Sequence, residues 1–200
     1  MTTTATPVTY GHDASFPRFS VTRYQRMIEA GILTVEDKVE LLENYVVLKM
    51  SRNPPHDAAL GRMLECLFPR KPKGWCLRVQ SAVVLSDSQP EPDFAFARGT
   101  PDDYEQRHPT SADVGLVIEV ADTSLLRDQR DKTRIYARGN IVCYWIVNLV
   151  DSRIEVYTQP SGPTAVPAYG ALQIYQPGDD IPLILDGNTV ATIPVTDFIR

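Results

Sequence analysis

The chain has 200 residues, of which 43% are hydrophobic and 22% are charged. This balance is ordinary for a globular protein, and a chain of this length buries a sizeable core without disulfides or structural metal. The formal net charge of -5 gives no sign of the overall basic surface that is common among nucleic-acid-binding proteins, although a local basic groove matters more than the total.

Cysteine usage and the N-terminal residues predict a cytoplasmic protein. The three cysteines form no C-x-x-C motif, so neither a disulfide framework nor a zinc site is indicated, and a reducing compartment is expected. The first ten residues predict no signal peptide. The longest apolar run, "IVCYWIV" from Ile141, is about a third of a membrane span, and no membrane association is expected.

The first third of the chain predicts an arm, two helices and a hairpin. Residues 1–19 are rich in Thr, Pro and Ser and are expected to form an extended or mobile arm, with residues 20–200 forming a single domain. Ser20 is a candidate cap for a helix that ends near Gly31. The segment "KVELLENYVVLKM" predicts a hairpin with its turn at Glu43 and Asn44, ended by Pro54–Pro55. The segment "HDAALGRMLECLF" has the period of a helix.

Alternating strands and a helix follow. The segments "WCLRVQSAVVL", "DFAFA" and "VGLVIEVA" predict three strands. A polar helix is predicted from Leu125 to Arg138, stopping at Gly139–Asn140. The apolar run "IVCYWIVN" predicts a fourth strand covered on both faces, which pairs with "SRIEVYT". Further short strands are expected after it. The order predicts an α/β (α+β) layer arrangement around a mixed sheet, in which the helical crossover joins two parallel strands.

One feature of the third strand calls for a chemical explanation, because Glu119 stands among apolar residues. An unpaired buried charge costs several kcal/mol or more. Side-chain alternation places Glu119 on the same face as Val117 and Ala121, and places Asp93 on the same face as Ala95 of the preceding strand. Two neighbouring carboxylates repel each other unless a cation or a shared proton lies between them. Bound Mg²⁺ would satisfy both.

The helix after Glu119 supplies an amine. At about 100° per residue, Lys132 lies on the apolar side of the helix with Ile135 and Tyr136, whereas the arginines form the opposite side. The pattern therefore predicts that Lys132 faces the sheet, where Glu119 or Asp93 offers it a partner. The arginines are predicted to face water, away from Lys132, and they are Arg127, Arg130, Arg134 and Arg138.

The segments "EPDFAFA", "LVIEVADTS" and "RDQRDKTRIYARGNIVCYWIVN" together resemble the Uma-type restriction endonuclease family of bacteria, within the PD-(D/E)XK nuclease superfamily. The resemblance extends from about Val39 to Tyr157. It implies a restriction-endonuclease-like mixed sheet flanked by helices, with an N-terminal helix and a β-hairpin. Pro92–Asp93 and Glu119 match the acidic part of the motif, but Ala121 stands where the parent pattern has lysine.

The resemblance assigns the missing lysine to Lys132, on the following helix. It also indicates Glu40, Asp128 and Tyr136 as possible accessory residues, although a hairpin glutamate such as Glu40 is more often solvated. Where the family has a glycine in the hairpin turn, this chain has Asn44, which tolerates the same left-handed geometry.

The implied activity is Mg²⁺- or Mn²⁺-dependent hydrolysis of phosphodiester bonds, with DNA as the expected substrate. A homodimer is expected on a separate ground, because an isolated domain with two short sheet edges often dimerises. Asp93, Glu119 and the backbone carbonyl of Val120 would hold the metal ion. Lys132 would orient a water molecule and stabilise developing negative charge.

Two other functions remain open from the sequence. The first is a catalytically silent nuclease-fold module that binds a partner or assembles into dimers, which the acidic net charge favours. The second is a glycosidase that uses Asp93 and Glu119 as acid and base, but this interpretation leaves Lys132 without a role.

Overall fold

The structure is a computed structural model that describes residues 16–199. The greater part of the predicted arm, residues 1–15, lies outside the described residues. The α-helices are α1 (Val21–Glu29), α2 (Pro54–Leu67), α3 (Leu125–Arg127) and α4 (Thr133–Arg138), and a π-helical turn (Asp128–Lys132) joins the last two. The strands are β1 (Val39–Leu42), β2 (Tyr45–Leu48), β3 (Trp75–Val79), β4 (Phe94–Arg98), β5 (Val114–Ala121), β6 (Cys143–Asn148), β7 (Arg153–Pro160), β8 (Tyr169–Tyr175), β9 (Asp180–Leu185) and β10 (Asn188–Pro194).

A six-stranded mixed sheet organises these elements in the order β3-β4-β5-β6-β7-β8. Strands β5 and β6 are parallel, and the other neighbouring pairs are antiparallel. The parallel pair is the one joined by the helical crossover, because a connection through a helix returns the chain to the same end of the sheet. The predicted mixed sheet flanked by helices is therefore confirmed.

Side-chain alternation gives the sheet two different buried faces. Phe94, Ile118 and Trp145 pack against α2 and against the separate β9–β10 hairpin. On the opposite face, Val117 and Tyr144 pack against the β1–β2 hairpin and α4. Both faces of β5 are covered, which explains why all eight of its residues are buried and why its sequence is almost continuously apolar.

The local signals near the N-terminus act as predicted. The Oγ of Ser20 accepts a hydrogen bond from the N–H of Arg23 and caps α1. The hairpin turn places Glu43 and Asn44 at φ values of 51° and 67°, the geometry of a two-residue turn that matches the strand twist. Pro54 and Pro55 also begin α2, where missing N–H groups cost nothing.

Gly115 in β5 provides a test of the packing between the sheet and its covering layer. A Cβ atom added at Gly115 would lie 2.5 Å from Cη2 of Trp75 and 3.2 Å from Cδ2 of Leu185. We expect Gly115→Ala to lower the free energy of unfolding by about 1–3 kcal/mol because these buried groups must shift. The control is Gly61→Ala in the exposed middle of α2, where an added Cβ meets nothing within 4 Å.

Urea denaturation measures both variants. Gly61→Ala is expected to raise stability by about 0.5–1 kcal/mol through helix propensity. Equal effects at the two glycines would contradict the packing described here.

Within residues 16–199, no helix combines the length and apolar character needed to cross a membrane.

Candidate active site

A cleft of about 580 Å³ opens beside the carboxyl end of β5, between the β1–β2 hairpin, the start of α2 and the π-helical turn. It gathers residues that are far apart in the sequence. Five of the side chains that the sequence singled out line it, and they are Glu40, Asp93, Glu119, Asp128 and Lys132. Val120 lines the cleft too.

Glu119 has a buried cationic partner, which answers the question that its position in β5 raised. The Nζ of Lys132 lies 2.7 Å from Oε1 of Glu119, and the hydroxyl of Tyr136 donates to the same oxygen at 2.7 Å. Glu119 and Lys132 are only 5% and 6% exposed. The predicted inward orientation of Lys132 is therefore confirmed.

Burial and the neighbouring carboxylates shift the pKa values of both Glu119 and Lys132. Burial raises the pKa of Glu119 to about 8, which Lys132 opposes and the charges of Asp128 and Asp93 reinforce. Burial acts to lower the pKa of Lys132, but Glu119, Glu40 and Asp128 outweigh it and hold this pKa above its usual value. The ammonium therefore stays charged, whereas full ionisation of Glu119 at neutral pH is favoured by a further cation in the cleft.

Asp93 immediately precedes β4, whose Phe94 pairs with Ile118, so Asp93 lies beside Glu119 across the sheet. Its Oδ2 accepts the backbone N–H of Val120 at 2.9 Å and lies 3.2 Å from Nε2 of His56. Burial opposes ionisation, but hydrogen bonds from His56 and Val120 hold the pKa of Asp93 below its usual value. Asp93 is therefore a carboxylate at neutral pH.

The backbone of Val120 points toward Asp93. In a strand, the N–H and C=O of one residue point to the same side, and the N–H of Val120 donates to Asp93. The carbonyl of Val120 therefore faces the side on which Asp93 lies, beyond the end of β4.

Asp128 and Glu40 complete the acidic lining. The Oγ of Ser124 donates to Oδ2 of Asp128 at 2.6 Å, and burial raises the pKa of Asp128 to about 6. Glu40 is 3% exposed; its Oε1 accepts a hydrogen bond from Arg127 at 2.9 Å, and its Oε2 lies 3.7 Å from Nζ of Lys132. The interpretation of Glu40 as a solvated hairpin residue is wrong. The face of β1 that carries Glu40 packs toward α3 and the π-helical turn, where Arg127 and Lys132 contact it.

The prediction that the arginines face water, away from Lys132, is wrong for three of the four. The side chain of Arg127 is 14% exposed and lines the same cleft as Lys132. Arg134 and Arg138 both bind the carboxylate of Glu43 in the hairpin turn. The helical wheel assumed a regular α-helix, whereas the π-helical turn changes the phase, and the hairpin covers the side that was expected to be exposed.

The ion pairs of Glu43 fix the hairpin that carries Glu40. Burial opposes ionisation of Glu43, but hydrogen bonds and charge from Arg134 and then Arg138 hold its pKa below the usual value. A carboxyl group with a depressed folded-state pKa stabilises the protein above its unfolded-state pKa, and this contribution is lost as the pH falls through the folded-state pKa. We expect Glu43→Gln to cost about 1–3 kcal/mol at pH 7, with a smaller difference from wild type below about pH 4.

Denaturation curves at pH 7 and pH 3.5 measure this effect, with the exposed Glu65→Gln as the control. A Glu43→Gln cost that is the same at both pH values would show that the ion pairs contribute nothing to it.

His56 is the site residue that the sequence analysis missed. It occupies the first turn of α2 and faces Asp93. No metal-ligand spacing or periodicity marks it, because its partner belongs to a distant part of the chain. The only available signal was its place three residues after the capping Asn53, which indicates a helix start and not a site.

The donor set suits a hard divalent cation. No group of three or more His, Cys, Asp or Glu within residues 16–199 is arranged to hold a metal ion, but Mg²⁺ is commonly bound by one or two carboxylates with water molecules. Asp93 and Glu119, with the carbonyl of Val120, offer oxygen donors of this kind.

The mixed sheet, its flanking helices and the acidic cleft define an α/β fold with a candidate active site. A solved structure with the same fold is described as a "putative nuclease belonging to DUF820" and comes from Anabaena variabilis. It aligns with a TM-score of 0.63 and 11% sequence identity, over 90% of this chain and 97% of that one.

The sequence itself identifies the family. Residues 22–193 match the family described as "Uma2: Putative restriction endonuclease", and the chain belongs to it. Comparison with curated proteins gave no match.

Proposed function

We propose that this protein is a metal-dependent endonuclease that hydrolyses phosphodiester bonds of DNA. The observation that carries the proposal is the convergence of Asp93, Glu119 and Lys132 in one cleft, with the ammonium 2.7 Å from the Glu119 carboxylate. Membership in the family described as "Putative restriction endonuclease" supports both the reaction and the substrate.

Asp93, Glu119 and the carbonyl of Val120 would hold Mg²⁺ or Mn²⁺. A bound divalent ion supplies Lewis acidity, which polarises a phosphoryl oxygen and lowers the pKa of a water molecule. Lys132 keeps its charge and donates hydrogen bonds to the attacking water or to a non-bridging phosphoryl oxygen, where negative charge grows. Hydrolysis would form a bond between the water oxygen and phosphorus and break the bond to the leaving sugar oxygen. The attacking water would give up a proton and the leaving oxygen would take one up, both in exchange with solvent.

The accessory residues hold this arrangement in place. Tyr136 fixes the rotation of Glu119 by donating to Oε1. Glu40 accepts a hydrogen bond from Arg127 and lies near Lys132. It therefore helps to hold both cationic side chains in position in the cleft. Asp128, held by Ser124, adds negative charge that favours a bound cation.

Basic side chains around the cleft support a phosphate-bearing substrate. The whole chain carries a formal charge of -5, but Lys38, Lys49, Arg52 and Arg127 line the cleft together with Lys132. Local cations of this kind are what a nucleic-acid backbone contacts, whatever the net charge of the protein.

A catalytically silent module that binds a partner is the second candidate. It is favoured by the ion pairs that the site already contains, since Lys132 contacts Glu119 and Glu40, and Arg127 binds Glu40.

For both candidate functions we propose a cytoplasmic homodimer. The free thiols of Cys66, Cys76 and Cys143 suit a reducing compartment, and sedimentation velocity measures the assembly.

Supercoiled plasmid separates the two candidates. Purified protein is expected to nick or linearise it with Mg²⁺ or Mn²⁺ and to leave it intact with EDTA. Intact plasmid under all metal conditions, with a protein that is folded by circular dichroism, would favour the silent module.

A further inference from the structure

The ring of His56 connects the start of α2 to Asp93. Its Nε2 lies 3.2 Å from Oδ2 of Asp93. Its Nδ1 is buried and has no hydrogen-bond partner within residues 16–199, and Asp57 Oδ1 is 3.8 Å away from it. With the residue 9% exposed, the polar contact of this side chain is directed at Asp93.

The backbone of His56 is itself held against β5. Asn53 caps α2, and its Oδ1 accepts the N–H of His56 at 3.1 Å. The amide of Asn53 donates to Oδ2 of Asp122 at 2.7 Å, and Asp122 directly follows β5. The start of α2 is therefore tied to the strand that carries Glu119. This holds the backbone of His56, from which its ring extends, in place beside β5.

Two donors on one oxygen determine how the Asp93 carboxylate is rotated. Oδ2 receives the N–H of Val120 and the ring of His56, while Oδ1 receives a longer contact of 3.3 Å from Nε2 of Gln80. The Val120 donor belongs to the backbone and is present in any variant. The His56 donor is the one that a side-chain change removes.

We propose that His56 is a positioning residue that orients the Asp93 carboxylate for binding a divalent cation. Residues that hydrogen-bond a metal-binding carboxylate fix its orientation, and their loss typically lowers metal affinity. His56 acts through Asp93 and not on the substrate. This inference rests on the proposed function, because it concerns the same cation site.

The test measures Mn²⁺ binding by calorimetry, without DNA, on the full chain. We expect His56→Ala to weaken Mn²⁺ binding by about tenfold or more. His56→Gln carries an amide N–H close to the position of Nε2, so it should retain most of the affinity. His56→Asn carries its amide near the position of Nδ1, so it should behave like His56→Ala. His108→Gln, an exposed histidine outside the cleft, is the control and should bind as wild type does.

The pattern of outcomes separates this inference from the proposed function. Wild-type affinity in His56→Ala, or equal affinities in His56→Gln and His56→Asn, would overturn the positioning role while leaving the nuclease proposal intact. Absence of Mn²⁺ binding in the wild type would overturn the proposed function, and this inference with it. If His56→Ala does not fold, as judged by thermal denaturation, the comparison of His56→Gln with His56→Asn decides.

Discussion

Replacing Lys132 with methionine is expected to lower the rate of plasmid nicking by about a hundredfold or more. Lys132→Met keeps the length and the apolar stem of the side chain, but it removes the ammonium that lies 2.7 Å from Glu119. A single preorganised group that stabilises developing negative charge is worth about 10²–10³ in rate. Nicking rates with Mg²⁺ measure the effect.

Arg130→Met is the matched control for Lys132→Met. It removes one positive charge from the same π-helical turn, but the side chain of Arg130 is 45% exposed and pairs with Asp131. Its nicking rate is expected to stay within about twofold of wild type, since surface ion pairs contribute little. Nicking by Lys132→Met at the wild-type rate would end the catalytic role of Lys132.

Because Lys132 is buried, Lys132→Met is also expected to lower the stability of the protein. Its loss leaves the Glu119 carboxyl group without a cation, which costs about 3–5 kcal/mol for a buried pair broken on one side. In the double variant Lys132→Met with Glu119→Gln, the unpaired acid is gone as well. We expect the double variant to recover stability in urea denaturation and to remain inactive, which separates the catalytic loss from a folding defect.

Asp93→Asn is expected to abolish Mg²⁺ binding. It is also expected to lower the nicking rate by about a hundredfold or more, as Lys132→Met does. The change keeps the size of the side chain, and the amide oxygen still accepts the N–H of Val120, so the local fold is retained. It removes the negative charge and a metal-binding carboxylate oxygen, on which Mg²⁺ affinity depends. Calorimetric titration with Mg²⁺ measures binding, and nicking assays measure the rate.

The control for Asp93→Asn is Asp102→Asn, an exposed aspartate in the short 3₁₀ helix Pro101–Tyr104. It changes the net charge by the same amount and is expected to bind Mg²⁺ as wild type does. If the wild type and Asp93→Asn give the same binding heat, Asp93 does not hold the ion.

The elements near the site show how far local patterns reach. Strand alternation placed Glu119 and Asp93 on one face, and the same face packs against α4 in the structure. The turn residues Glu43 and Asn44 likewise predicted the hairpin. These features follow from the backbone period of a strand and from the φ values that a two-residue turn requires, so a few neighbouring residues encode them.

The helical wheel succeeded and failed on the same helix. It placed Lys132 inward, where it binds Glu119, but it placed Arg127 outward, whereas Arg127 lines the cleft and binds Glu40. The π-helical hydrogen bonds of Asp128–Lys132 change the phase within a few residues, and a wheel drawn at a constant angle does not contain that change.

The sequence by itself determined which side chains share a strand face, where the hairpin turns, and that an amine follows the two acids on the inner side of a helix. The tertiary structure alone decided that Glu40 is buried beside Lys132, that the hairpin turn binds Arg134 and Arg138, and that His56 contacts Asp93. The physical reason is range: periodicity and turn geometry act between neighbours in the chain, whereas these contacts form only when separate elements pack and the charges they bury must find partners.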